Sequence, residues 1–242
     1  MADKISYDYM VDSQEVDFTL RATVSSIVNA ILGVAGVDAR QRGFGVEVLN
    51  EQNYSWVLSR MAIELESRPL QFTMCQIETW INTYSRVLST RNFMLTDAKG
   101  KVFGRAVTQW CMIDLTARTP VDLTKLVDEH NQSLVDRPSP IDKPRKIVGV
   151  HPQQTAEHRV VYSDIDYNQH VNTLRYVDMI FDRLPLSTFD GDGTMRMDIH
   201  FIHECRYGQL LTVGYEQRER LSLFEIQTEE GVAAVRASVE WR

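Results

Sequence analysis

Hydrophobic residues recur along the chain with two periods, and the same succession of periods is met twice. Val16 to Arg21 alternates apolar and polar positions as a short strand does, and Val24, Ile27, Val28, Ile31, Val34 and Ala35 follow at the spacing of one helix face. Four stretches rich in β-branched and aromatic residues come next and predict strands: Ser55 to Glu66, Gln71 to Ser85, Arg91 to Thr96 and Gly104 to Leu115. Thr119 to Lys146 is polar, holds four of the chain's seven prolines and reads as a linker. Beyond it the succession starts again. Arg159 to Tyr162 predicts a strand, and Val171, Leu174, Val177, Ile180, Phe181 and Leu184 predict an amphipathic helix. Strands are then expected over Thr194 to His203, Leu210 to Arg218, Ser222 to Thr228 and Ala233 to Trp241. The turns Asp97-Ala98-Lys99-Gly100 and Glu229-Glu230-Gly231 fall at the same place in the two series.

This is an internal duplication. Each copy predicts one helix lying on a strongly bent antiparallel sheet, so the expected class is α+β and the expected architecture a tandem double hotdog. The division is an N-terminal copy over residues 1–118, a linker over 119–150 and a C-terminal copy over 151–242. Duplication frees one copy from catalysis, and polar chemistry is spread accordingly. Ser163-Asp-Ile-Asp-Tyr-Asn-Gln-His-Val-Asn172 precedes the second helix, whereas the matching Arg21-Ala-Thr-Val-Ser-Ser26 carries neither Asn nor His. A single site is expected, in the second copy.

Composition narrows the class. A hydrophobic share of 43% is ample for a core, and a net charge of -7 argues against a general nucleic-acid binder, which needs a concentrated basic face. Three cysteines, Cys75, Cys111 and Cys205, form neither a C-x-x-C pair nor an even set, so no disulfide framework or zinc ribbon is indicated and a reducing cytoplasm fits. The first residues, Met-Ala-Asp-Lys-Ile-Ser-Tyr-Asp-Tyr, lack the apolar core of a secretion signal. The least polar stretch, Ser26 to Val37, is too short for about 30 Å of hydrocarbon. No stable membrane association is expected. His200 and His203 would face opposite ways on a strand, so no metal is expected either.

The string Asp166-Tyr-Asn168-Gln169-His170-Val171-Asn172, followed by Glu204-Cys205, resembles the acyl-acyl carrier protein (acyl-ACP) thioesterases of plants and bacteria. The likeness extends to Trp56-Val-Leu-Ser-Arg-Met61 and Trp110 in the first copy, and so spans about Val16 to Trp241. Position by position, the resemblance implies a catalytic group of Asp166, Asn168, His170 and Glu204, with Cys205 in or beside it. Asn172-Thr173 stands where the family usually has Asn-Asn, outside those positions. The activity implied is hydrolysis of fatty acyl-ACP to free fatty acid and holo-ACP, with no cofactor.

The residues themselves support that chemistry. Cleaving a thioester requires a polarised carbonyl and a deprotonated nucleophile. Asn168 and His170, placed at the start of the second helix, would bring donors and the positive end of a helix dipole to the carbonyl. Two mechanisms stay open: Cys205 as a thiolate activated by His170, or Glu204 as the base that activates water. Neighbouring strand residues face opposite ways, so Glu204 and Cys205 share a site only across a bulge, and Glu204 is preferred because thioesters are already activated electrophiles. Each residue also has a plainer reading. Asp166 can serve as a helix N-cap, Asn168 as a left-handed turn residue, His170 as a satisfied histidine and Cys205 as a small buried hydrophobe.

Trp56, Met61, Met74, Trp80 and Trp110 read as core residues of the first copy; under the resemblance some would line the acyl pocket and set chain length. An acidic carrier protein needs a local positive patch, for which Arg86, Arg91, Arg105, Lys143, Arg145 and Lys146 are candidates. A homodimer is compatible with this pattern. Competing activities are hydrolysis of acyl-CoA, hydration or dehydration of a β-hydroxyacyl thioester on the same fold, and acyl binding without catalysis.

Overall fold

The computed structural model describes residues 5–125, 133–191 and 193–241. The chain divides into two units, Met1–Pro144 and Arg145–Arg242, and the division falls inside the expected linker. Part of that linker, residues 126–132, lies outside the described residues.

The first unit contains β1 (Ile5–Met10), α1 (Val24–Gln41), α2 (Val46–Glu51), β2 (Tyr54–Leu65), β3 (Met74–Tyr84), β4 (Ser89–Asp97) and β5 (Val102–Asp114). The second contains β6 (Gln154–Arg159), α3 (Thr173–Phe181), β7 (Met195–Phe201), β8 (Leu210–Arg218), β9 (Leu221–Thr228) and β10 (Ala233–Trp241). The strand order is β1-β3-β4-β5-β2 in one unit and β6-β8-β9-β10-β7 in the other, antiparallel throughout. Reading each strand as the counterpart of the one five positions later, the two orders are the same. The duplication seen in the hydrophobic pattern is therefore a duplication of topology, that of the tandem double hotdog.

Helix α1 follows its predicted face, and α3 does so in part: Val177 and Ile180 are buried as expected, whereas Val171 and Leu184 lie outside the helix. Thr23 caps α1 by accepting the Ser26 amide, and Val24, Ile27, Val28, Ile31, Val34 and Ala35 are all buried. Burying each of these valine and isoleucine side chains contributes roughly 1.5–3 kcal/mol. In the second unit Asn172 caps α3, which buries Tyr176, Val177, Met179 and Ile180. The hairpins also match. Gly100 and Gly231 both take a positive φ, 79° and 75°, at the close of the β4–β5 and β9–β10 turns.

The opening strands differ from expectation. Val16 to Arg21 is a turn, because the Asp17 carboxylate accepts the amide and hydroxyl of Thr19 and Leu20 swings to φ 59°. The edge strand is instead Ile5–Met10, paired with β3. In the second unit the strand lies at Gln154–Arg159, earlier than Arg159 to Tyr162, because Asp164 accepts the Val161 amide and winds 162–164 into a short 3-10 turn.

Register assigns the two faces of each sheet. In the first, Leu58, Met61, Ala106, Thr108, Phe93, Arg91 and Thr79 share the face covered by α1, whose Asp38 meets Arg91. The opposite face carries Glu78, Trp80 and Asn82, across which residues 133–139 are strapped. Val135 donates to the Ile81 carbonyl at 2.8 Å, and Arg137 lies 3.8 Å from the Trp80 ring centroid and 2.9 Å from Glu78. In the second unit Phe201 and Tyr176 meet at 6.3 Å on the α3 face, while Arg196, Asp198, Glu216 and Glu225 occupy the other. There the Arg145 amide donates to Asp198 and the His151 amide to Glu216, both at 2.9 Å. Gly214 is required beneath this crossing, since a Cβ would come within 2.7 Å of Pro152. The described parts of the expected linker are thus docked on the sheets, which explains how so many charged strand residues come to be buried.

One buried pair gives a pH test. Burial pushes the Asp17 carboxyl up, but hydrogen bonds from Thr19 and Arg68 outweigh it and hold the group below its usual 3.8. Its contribution to stability is present above that value and fades as pH falls through the lower folded-state value. Asp17→Asn should therefore lower stability to urea at pH 7, with the gap to wild type closing at acid pH.

Candidate active site

Two carboxylates fold the segment between β6 and α3. Asp164, 4% exposed, accepts the Val161 amide and the His158 imidazole Nε2, each at 2.8 Å, and its own carbonyl accepts the Asn172 amide at 2.8 Å. Asp166 then closes a tight loop. Its Oδ1 accepts the amides of Asn168 at 2.8 Å and His170 at 3.3 Å, and its amide donates to the His170 carbonyl at 2.9 Å. Gln169 sits at φ 64° inside the loop, a conformation costing a non-glycine residue about 1 kcal/mol or more, so the surrounding bonds must impose it. Ile165 and Val171 pair across its base.

The loop presents His170 to Glu204, with Nε2 and Oε2 3.2 Å apart. The Val171 amide donates to the Cys205 carbonyl at 2.8 Å, which fixes the two segments against each other. Glu204 and Cys205 lie beyond the end of β7 at Phe201, so strand alternation does not govern them. They diverge all the same. Glu204 is partly exposed and faces His170, while Cys205 is fully buried. Burial pushes the Cys205 thiol up, an effect only partly offset by the Tyr176 hydroxyl beside it. That environment keeps the thiol protonated near neutral pH.

The expected positions are corrected in two respects. Asn168 and His170 precede the first helical residue, Thr173, and the N-cap is Asn172, so the two stand in the loop ahead of α3 and not at its start. Asp166 is not the helix cap; its carboxylate shapes the loop. Asn168 is exposed and its backbone amide is held by Asp166. The pattern did not single out Asp164, His158 or Tyr176. Asp164 was present in the polar string, but nothing in the string showed that its carboxylate turns back to strand β6.

The aromatic and methionine candidates divide between the two faces of the first sheet. Trp56 and Trp110 are half-buried and share the α1 face with Met61, which a bulge between Leu58 and Arg60 returns to that side. Met61 is fully buried. Trp80 is buried on the opposite face under Arg137, and Met74 is 45% exposed at the start of β3, so Met74 is not a core residue as expected. Of the basic candidates, Arg91 is 4% exposed and bound to Asp38, which closes it to a docking partner. Arg105 pairs with Glu66, Arg86 with Asp122 and Arg145 with Glu240, while Lys143 and Lys146 are exposed.

Comparison with known proteins bears on this site. Residues 2–130 match the family model described as the acyl-ACP thioesterase N-terminal domain, and residues 150–242 match the acyl-ACP thioesterase C-terminal domain. The oleoyl-acyl carrier protein thioesterase 2, chloroplastic, of Arabidopsis thaliana is 26% identical over 87% of this chain and 63% of its own length. The chain thus spans under two thirds of that curated relative. A crystal structure of an acyl-ACP thioesterase from Bacteroides thetaiotaomicron is 33% identical and superposes with a TM-score of 0.88, covering 99% of this chain and 98% of that one. The 12:0-ACP thioesterase of Umbellularia californica, 20% identical, shares the fold with a TM-score of 0.86 over 99% of this chain and 97% of its own. With both copies matched and the paired histidine and glutamate in the second, the chain belongs to the acyl-ACP thioesterase family.

Proposed function

We propose that this chain hydrolyses the thioester of fatty acyl-ACP, releasing free fatty acid and holo-ACP, with Glu204 as the base that activates water. The observation that carries the reading is the 3.2 Å contact of His170 with Glu204 on a loop shaped by Asp166. His170 orients the carboxylate, Glu204 takes a proton from water, and the hydroxide adds to the thioester carbonyl. The carbon–sulfur bond then breaks, and the departing thiolate takes the proton back from Glu204. Asn168, exposed on the same loop, is a donor for the carbonyl oxygen.

The N-terminal unit is the candidate acyl-binding copy. Trp56, Met61 and Trp110 are its better candidates because they share one face; Met74 and Trp80 lie on the other. Lys143 and Lys146, with Arg86, Arg105 and Arg145 once released from their carboxylates, are the surface groups for an acidic carrier protein. Three unpaired cysteines suit a reducing compartment such as the cytoplasm, whereas the plant relative's name places it in the chloroplast. Among the described residues no helix is long and apolar enough to cross a membrane. Self-association as a homodimer is compatible with this reading.

The test of the mechanism is Cys205→Ala on saturated acyl-ACP, following free thiol and fatty acid. The variant should keep kcat within about threefold of wild type, because a buried, protonated thiol contributes no nucleophile. Loss of activity in this variant alone, with the fold retained, would make Cys205 the nucleophile.

A further inference from the structure

The loop that carries Asp166 and His170 is rooted in a carboxylate that the proposed chemistry does not use. Asp164 is 4% exposed, and its Oδ2 receives two donors at 2.8 Å, the Val161 amide and His158 Nε2. His158 lies on β6 opposite Leu211, on the sheet face that α3 covers, and its side chain is 34% exposed. Through its backbone Asp164 also binds the other end of the loop, accepting the amide of Asn172, the residue that caps α3. One residue therefore ties the sheet edge to the helix start, and the loop between is the one that aims His170 at Glu204.

We propose that His158 is a positioning residue for the active site: by holding the Asp164 carboxylate it fixes the root of the 164–172 loop and hence the approach of His170 to Glu204. The physical basis is the cost of a buried carboxylate short of donors. Without the imidazole, Asp164 keeps one side-chain donor, the Val161 amide, and the segment gains a way to relax by rotating the carboxyl toward water. A loop freed at its root spends less time with Nε2 and Oε2 in contact, which lowers the rate of the chemical step more than it weakens binding. The role needs an N–H at the position of Nε2, and a glutamine carboxamide can place one there while an alanine cannot.

The activity arm rests on the proposed hydrolase reading, so the experiment has a second arm that does not. His158→Ala and His158→Gln would be compared with wild type in steady-state kinetics on acyl-ACP, in amide hydrogen exchange over 164–172, and in thermal unfolding. In His158→Ala, exchange at Val171 and Asn172 should quicken about tenfold and kcat fall about tenfold, with KM within about twofold and the unfolding temperature lowered by only a few degrees. His158→Gln should restore both exchange and kcat to within about threefold of wild type. Unaltered exchange in His158→Ala, or a loss that His158→Gln fails to rescue, would overturn the proposal. If wild type cleaves no acyl-ACP, the hydrolase reading fails by itself and the exchange arm still decides whether His158 holds the loop.

Discussion

Glu204→Gln should lower kcat on acyl-ACP by about a thousandfold, equivalent to about 4 kcal/mol of transition-state stabilisation, with KM within about threefold. The substitution is nearly isosteric. The glutamine carbonyl oxygen can still accept from His170 Nε2, so the 3.2 Å contact and the loop that presents it are preserved. Basicity alone is removed, since a carboxamide does not take a proton from water near neutral pH. Glu204→Asp keeps the basicity but draws the carboxylate back by one methylene, and should fall between wild type and Glu204→Gln. Retention of more than a tenth of wild-type kcat in Glu204→Gln would remove Glu204 from the role of base. The three variants in parallel thus separate proton transfer from positioning.

The second large effect concerns stability. Asp38 has no exposure, sits on the last turns of α1 and meets both Arg91 and, at 3.0 Å, Arg42. Arg91 is itself buried and also donates to Thr79. Asp38→Asn would leave a buried guanidinium facing a second one with no anion between them, a change that costs about 3–5 kcal/mol when one partner of a buried pair is removed. For a chain of this length that is roughly a 10 °C drop in the midpoint of thermal unfolding. Replacing both partners, as in Asp38→Leu with Arg91→Met, should recover most of the loss because no buried charge is then stranded between these two positions. Urea melts of the single and double variants check this, and equal destabilisation of both would show that packing rather than charge sets the effect.

Periodicity made the fold readable because each copy spends its apolar residues on one face of its helix and sheet. Ile27, Val28 and Ile31, or Val177 and Ile180, are buried where their spacing put them. What it could not show was side chain bonding to backbone. Asp17 and Asp164 convert stretches with strand-like composition into turns, and both do so through a carboxylate accepting a nearby amide. Arg91 is buried and Met74 exposed for a related reason, since a strand residue is exposed or buried according to what lies across it. Asp38 is distant from Arg91 in sequence and binds it in space. Within the site, the Asn-Gln-His-Val-Asn string identified the loop, but the separation of Glu204 from Cys205 depended on where β7 ends, a boundary the pattern placed two residues late.

The most direct test of the central claim compares kcat/KM for one saturated acyl chain carried on ACP and on CoA, with released thiol and fatty acid both quantified. The account predicts stoichiometric release of the two products with a clear preference for the ACP ester, and a fall of about a thousandfold in that release in Glu204→Gln. Release of neither product from either donor, or formation of an enoyl product without free thiol, would contradict it.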